Sequence, residues 1–344
     1  MRLTAPQSSS SIITRRRFLQ VLAAASTAIP FSTSLARIGG AKQRFSWQGE
    51  VLGGNASMEL LLDDVASGEQ IVRRCTSEIA RLEQMFSLHR ADSLLRRLNH
   101  SGRLENPPPE FIELLTQALR LSEQTEGAFD VTIQPLWMYL YYTAPEALDP
   151  QRLAELKNLT DYRQVHLTRQ RIQLARPGMQ LTLNGIAQGY ITDRITALLK
   201  DLGLSQVLVQ LGETFGLGVN QAGRPWHIGI PHPDLASFLT TVELENRAVA
   251  TSSVRGTVVE SNPAFCHLLN PHLDRFSTGS ANKAGRNCDS KYASVSVIAN
   301  TATLADGLST SVSLVDPATH LKLLSYYPEA QLILLSENGE LSRI

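Results

Sequence analysis

The stretch from Met179 to Leu211 constrains the fold more than any other part of the chain. It reads as a strand over Met179 to Leu183, a turn Asn184-Gly185-Ile186-Ala187-Gln188-Gly189, a helix from Tyr190 to Leu202, and a strand over Val207 to Leu211. Gly203 ends the helix, and the continuous apolar run after it suits a buried strand. At the turn, free backbone N–H groups and the positive end of the helix dipole favour a phosphate. Glycines at 185 and 189 allow close backbone approach. The glycine spacing fits neither a dinucleotide fingerprint nor a Walker loop, and the lysine of the latter is missing.

Around that stretch, helices and strands intermingle without a regular βαβ beat. Apolar residues at Ile71, Val72, Cys75, Ile79, Leu82 and Met85 stripe one face of a helix over Glu69 to Met85. A second helix is expected over Asp92 to Asn99, a third from Glu110 to about Thr125 behind the prolines at 107–109, and a short one over Arg152 to Leu159. Val165 to Leu167 and Arg171 to Leu174 alternate like hairpin strands. Gly212, Gly216 and Gly218 punctuate a further hairpin, to which Trp226 to Ile230 is expected to pair back. Strands are expected over Leu239 to Leu244, Ala248 to Thr251, Phe265 to Leu269, Tyr292 to Ala299 and Ala330 to Leu335, with a helix over Thr303 to Val315. The class is α+β, with mostly antiparallel sheets and packed helices. The polar loop from Asn270 to Lys291 is a candidate lid or a mobile insertion.

The N-terminus reads as an address. Arg15-Arg16-Arg17 runs into Phe18-Leu19, then an apolar stretch from Val21 to Ile29, then Ser34-Leu35-Ala36, a small-x-small cleavage pattern. The apolar stretch is too short for a stable bilayer anchor. Paired arginines before Phe-Leu resemble a twin-arginine export signal. Residues 1–36 are therefore expected to be removed, leaving 37–344 as a single domain with two lobes in the periplasm. Lys plus Arg and Asp plus Glu both number 32, so no global field draws in nucleic acid or an anionic membrane. The three cysteines, Cys75, Cys266 and Cys288, lack metal-ligand spacing. Cys266 and Cys288 either pair or remain buried thiols.

A few residues carry chemistry by type and position. Asp306 and Thr310, four apart on the expected helix, put a carboxylate and a hydroxyl on one face, as two oxygen ligands for a hard cation require. A first-turn acid and a packed threonine would give the same spacing. His267 stands at the end of an expected strand, where a structural histidine is common. Asp130, in Gly127-Ala128-Phe129-Asp130, reads as a turn acid.

Order and wording of these segments together resemble the ApbE family, the FAD:protein FMN transferases, over nearly all of the mature length. The matching segments are Leu52-Gly53-Gly54, Phe86 to Ser93 with Leu98-Asn99, Gly127 to Thr132 with Pro135-Leu136, and Gly185 to Tyr190 with Asp193. Val249 to Ser252, Cys266 to Pro271 and Ser294 to Thr310 follow in family order. With the arginine signal, the chain is most similar to the exported NosX-type branch. The resemblance implies binding of FAD with Mg²⁺, transfer of the FMN half to a Thr or Ser hydroxyl of a target redox protein, and release of AMP. It implies Mg²⁺ ligands at Asp306, Thr310 and the Gly185 carbonyl. It implies flavin contacts from Leu52, His89, Ala128, Phe129, Asp130, Thr182 and Gln188, and a general base at His267. The branch implies an acceptor flavoprotein, a NosR-like membrane redox protein.

Four positions depart from the commoner family pattern. Thr182 stands where an acid is usual, Gln188 where a lysine is, Glu213 where a second glycine is, and Asn270 where an aspartate is. Loss of an acid and a lysine together preserves local neutrality and leaves hydroxyl and amide groups to face the flavin. Two other activities fit the same scaffold: a non-catalytic FAD carrier, and an FAD pyrophosphatase in which water replaces the acceptor hydroxyl.

Overall fold

A computed structural model describes residues 42–51, 54–254, 266–272 and 290–344. The export signal, Leu52, Phe265, Cys288 and most of the 270–291 loop lie outside the described residues. In chain order the strands are β1 (Gln43–Val51), β2 (Gly54–Leu62), β3 (Arg103–Glu105), β4 (Val165–Leu167) and β5 (Arg171–Leu174). Then come β6 (Val207–Gln210), β7 (Thr214–Leu217), β8 (Trp226–Pro231), β9 (Phe238–Leu244) and β10 (Arg247–Ser253). β11 (Tyr292–Ala299), β12 (Gln331–Ser336) and β13 (Leu341–Arg343) follow. The helices are α1 (Gly68–Phe86), α2 (Leu94–Ser101), α3 (Pro109–Gln124) and α4 (Gln134–Tyr142). After them stand α5 (Pro150–Asn158), α6 (Ala187–Asp201), α7 (Ala302–Leu314) and α8 (Pro317–Ser325).

Among the described residues the main sheet has eight strands, in the order β1-β2-β6-β7-β10-β11-β12-β13, and each neighbouring pair is antiparallel. Alternate side chains of a strand point to opposite faces, and here both faces of the central strands are covered. Val295, Val297 and Ala299 of β11, with Ala248 and Ala250 of β10, face the large core shared with α6 and α7. Val249, Ile298 and Ile333 face the other way, onto Trp226, Ile228, Val242 and Leu244 of the β8–β9 hairpin. The antiparallel α+β class read from the sequence is the observed one.

Trp226 to Ile230 does not pair back onto the glycine-rich hairpin; it pairs with β9. The resulting hairpin lies across the sheet, and Trp226 Nε1 donates to the Leu217 carbonyl at 3.1 Å. Gly216 makes this crossing fit, because a Cβ there would stand 2.9 Å from Leu244 Cβ and 3.0 Å from the Trp226 ring.

Met179 to Leu183 is not a strand. Among the described residues its strand-like pairing is a single parallel bridge, Ile133 to Gln180. A side chain takes the place of a neighbouring strand: Asn99 accepts from Leu181 N at 2.7 Å and donates to Leu181 O at 2.8 Å. Thr182 N then donates to Val131 O at 2.8 Å. Residues 266–269 are irregular too, so the strand expected over Phe265 to Leu269 is absent from its described part. There the His267 carbonyl takes a side-chain partner, the Trp137 indole N–H.

Candidate active site

The turn and α7 meet because both are small at the point of contact. A Cβ on Gly189 would overlap the Ala302 carbonyl and stand 2.8 Å from Asp306 Cβ. With glycine there, Gly189 N donates to Asp306 Oδ2 at 3.0 Å. One helical turn further on, Thr310 faces Gly185, where an added methyl would lie 3.2 Å from Thr310 Oγ1 and 3.2 Å from the Phe129 ring. Ser252, on β10, places its hydroxyl 3.3 Å from Thr310 Oγ1 and 2.7 Å from Ser309 Oγ. Gly185, Asp306, Thr310 and Phe129, distant in sequence, thus form one group.

The charges of this group are buried and face one another. Asp306 is 5% exposed, and burial pushes its carboxyl up to about 7. Glu213, at the β6–β7 turn, is 7% exposed; burial and the neighbouring Asp306 carboxylate push its carboxyl well above the usual range. The Thr251 N–H opposes that shift. Asp193 is spent on structure: it accepts from Ala302 N at 2.7 Å and from Thr303 N at 2.8 Å, capping α7. Glu213 escaped the sequence reading as a site residue.

Asp306, buried and raised by burial and by the Asp193 charge, and Glu213, raised by burial and by Asp306, leave buried acid near a hydroxyl and a glycine-rich turn, a setting in which a divalent cation would offset charge. Among the described residues no three His, Cys, Asp or Glu side chains gather as a metal cluster. The groups brought together here that could hold a cation are the Asp306 carboxylate and the Thr310 hydroxyl, beside the Gly185 backbone.

The other residues singled out by the sequence fall into distinct places. Ala128 and Phe129 are buried, and Phe129 N donates to Thr125 Oγ1 at 3.1 Å. Asp130 Oδ1 accepts from Thr132 N and Thr132 Oγ1, and Oδ2 accepts from Tyr162 N at 2.9 Å, so both oxygens brace the chain. Burial nevertheless pushes its carboxyl up. Thr182 Oγ1 accepts from Asn184 N at 3.2 Å, which closes the start of the turn. Gln188 lies over Gly212, whose φ of 99° needs glycine and whose Cβ would stand 2.7 Å from the Gln188 amide. Its Nε2 is 4.0 Å from the place a Gly54 Cβ would occupy. His89 lies between α1 and α2, its backbone N–H donating to Ser87 Oγ at 3.1 Å.

His267 is half-buried, its Nδ1 closed off from solvent, and burial pushes its ring down to about 4. Its backbone carbonyl accepts from Trp137 Nε1 at 3.0 Å. Three positions on, Asn270 Nδ2 donates to the Leu314 carbonyl at the end of α7 at 3.0 Å. The histidine segment is thereby tied to the helix that carries Asp306 and Thr310. An ionised aspartate at 270 could not donate to that carbonyl.

The fold and this group of residues place the chain among the flavin transferase folds. A structure of the flavinyl transferase ApbE of Pseudomonas stutzeri superposes with a TM-score of 0.72 at 24% identity, covering 88% of this chain and 96% of that one. The ApbE protein of Thermotoga maritima gives a TM-score of 0.72 at 25% identity, covering 88% and 97%. In sequence, the FAD:protein FMN transferase of Haemophilus influenzae is 27% identical over 303 residues, 83% of this chain and 84% of its own length. The profile of the ApbE family matches residues 52–334, and the chain belongs to that family.

Proposed function

We propose that this chain is an FAD:protein FMN transferase that moves the FMN half of FAD onto a Thr or Ser hydroxyl of a redox protein. The observation that carries the reading is the contact of Asp306 with Gly189 N and of Thr310 with Gly185, which makes one polar site from a helix and a phosphate-type turn. Relatives named for this activity match most of the chain, which supports it further.

In the proposed reaction the acceptor oxygen attacks the FMN phosphorus, a new O–P bond forms, and the pyrophosphate O–P bond breaks with its electron pair leaving on AMP. Asp306, Thr310 and the Gly185 carbonyl would hold Mg²⁺, which neutralises charge on the phosphate oxygens when bound. The turn's backbone N–H groups orient the same phosphates. Gln188 and the Ala128-Phe129 segment border the flavin's place, with Leu52, His89 and Thr182 as further contacts. Asp130 holds the segment through Thr132 and Tyr162. His267, kept neutral by burial, accepts the hydroxyl proton; such a base contributes on the order of 10²–10⁴ in rate.

The arginine signal supports export through the twin-arginine pathway, and a mature single-domain protein from about residue 37 acting in the periplasm. The branch likeness supports a NosR-like membrane redox protein as acceptor. Among the described residues no helix is long and apolar enough to cross a membrane. The test is incubation of an acceptor domain with this protein, FAD and Mg²⁺, followed by denaturing electrophoresis. A fluorescent flavin band on the acceptor, absent with EDTA, is expected. Release of FMN and AMP without labelling would refute transfer in favour of hydrolysis, and bound FAD without turnover would refute it in favour of a carrier.

A further inference from the structure

The segment 266–272 forms no strand, so its backbone polar groups need side-chain partners. The His267 carbonyl finds one in the indole N–H of Trp137, 130 positions away in sequence, at 3.0 Å. Trp137 is itself fixed. It lies on α4, whose Leu136 and Leu140 pack with Leu153 and Leu156 of α5, and its ring stacks on Tyr141 with centroids 4.8 Å apart and planes at 17°. Asn270 Nδ2 holds the far side of the segment to the Leu314 carbonyl, and His272 Nε2 lies 3.0 Å from the Glu126 carbonyl. His267 therefore hangs between a rigid aromatic helix and the end of the helix that carries Asp306.

We propose that Trp137 is a positioning residue for the transfer reaction, acting through the His267 backbone. This rests on the reading of His267 as the base. An indole N–H donates and cannot accept, and here its hydrogen is directed at the carbonyl of the base itself. Phenylalanine keeps most of the ring's packing and loses that bond. A base displaced by an ångström loses rate while the substrate's binding contacts stay intact.

The experiment is a double-mutant cycle on the full chain with FAD, Mg²⁺ and an acceptor domain, using Trp137→Phe, His267→Ala and both together. Trp137→Phe is expected to lower kcat by about 10- to 100-fold, as for a misplaced catalytic group, with KM for FAD within about twofold of wild type. In the His267→Ala background the same change is expected to cost nothing further, since coupled residues are non-additive. FAD affinity by flavin fluorescence and the melting temperature establish that each variant is folded. An equal loss in both backgrounds would mean that Trp137 acts on the structure at large, and would overturn the proposal. A Trp137→Phe rate equal to wild type, with His267→Ala impaired, would overturn it as well. A fully active His267→Ala would remove the base assignment itself, a different failure from the first two.

Discussion

Replacing Asp306 by asparagine should make the cation-free protein more stable while abolishing its response to Mg²⁺. The carboxyl is 5% exposed, and burial, with the nearby Asp193 carboxylate, pushes it up from an ordinary 3.8 to about 7. A tenfold change in proton affinity is worth about 1.4 kcal/mol, so holding this group ionised costs the folded state about 4 kcal/mol. The sign is fixed by proton binding. Between the unfolded value near 3.8 and the folded one near 7, the folded state holds more protons, so stability falls as pH rises through that window. Asparagine keeps an oxygen for Gly189 N and removes the charge. In EDTA at pH 8 the variant should melt roughly 5–10 °C above wild type, and at pH 4 the two should converge. Mg²⁺ should raise the melting temperature of wild type alone. Thermal unfolding at both pH values, with EDTA or MgCl₂, reads all of this. A variant that melts at or below wild type in EDTA at pH 8, or that gains as much from Mg²⁺, would refute the placement of a cation at Asp306.

Other expectations rest on the same contacts. His267→Ala should slow transfer by about 10²-fold or more while FAD affinity holds. Because burial lowers the His267 ring to about 4, the base stays neutral, and at saturating Mg²⁺ the limb that His267→Ala removes should lie near pH 4; a His267-dependent limb at 6.5 in a pH–rate profile would contradict the burial. Gly189→Ala should destabilise the fold by about 1–3 kcal/mol and weaken Mg²⁺ binding, since the new methyl strikes the Ala302 carbonyl and Asp306 Cβ; unchanged denaturation and Mg²⁺ titration would argue against the close crossing of α6 and α7. Arg15→Lys with Arg16→Lys should leave the protein in the cytoplasm, and normal export on cell fractionation would refute the signal.

What the sequence made legible follows its periodicity. α1, α3, α6 and α7 have apolar stripes or clear stop signals, and β11 falls on the expected residues, Tyr292–Ala299. α4 escaped because Gln-Pro-Leu-Trp-Met-Tyr-Leu-Tyr-Tyr is apolar on nearly every side, leaving no stripe to read. Met179 to Leu183 reads as a strand by composition, yet the Asn99 side chain supplies its hydrogen bonds, a long-range pairing that no local pattern announces. The same holds for Trp226 to Ile230, whose partner depends on the close approach at Gly216. At the site, Gly185, Asp306 and Thr310 were legible as residue types, and the fold joins them. Glu213 and Trp137 were not, because their meaning lies in what they face: one a second buried acid, the other a backbone carbonyl.

The central claim is transfer of FMN to a protein hydroxyl, and intact-mass analysis of the proposed acceptor, a NosR-like redox domain, tests it most directly. After incubation with the protein, FAD and Mg²⁺, the acceptor should gain the mass of one FMN group, with the modification mapping to a single Thr or Ser and AMP appearing in equal amount. The gain should vanish with EDTA and with Asp306→Asn. An acceptor of unchanged mass beside free FMN and AMP would contradict the account, as would a modification that forms equally well without the metal.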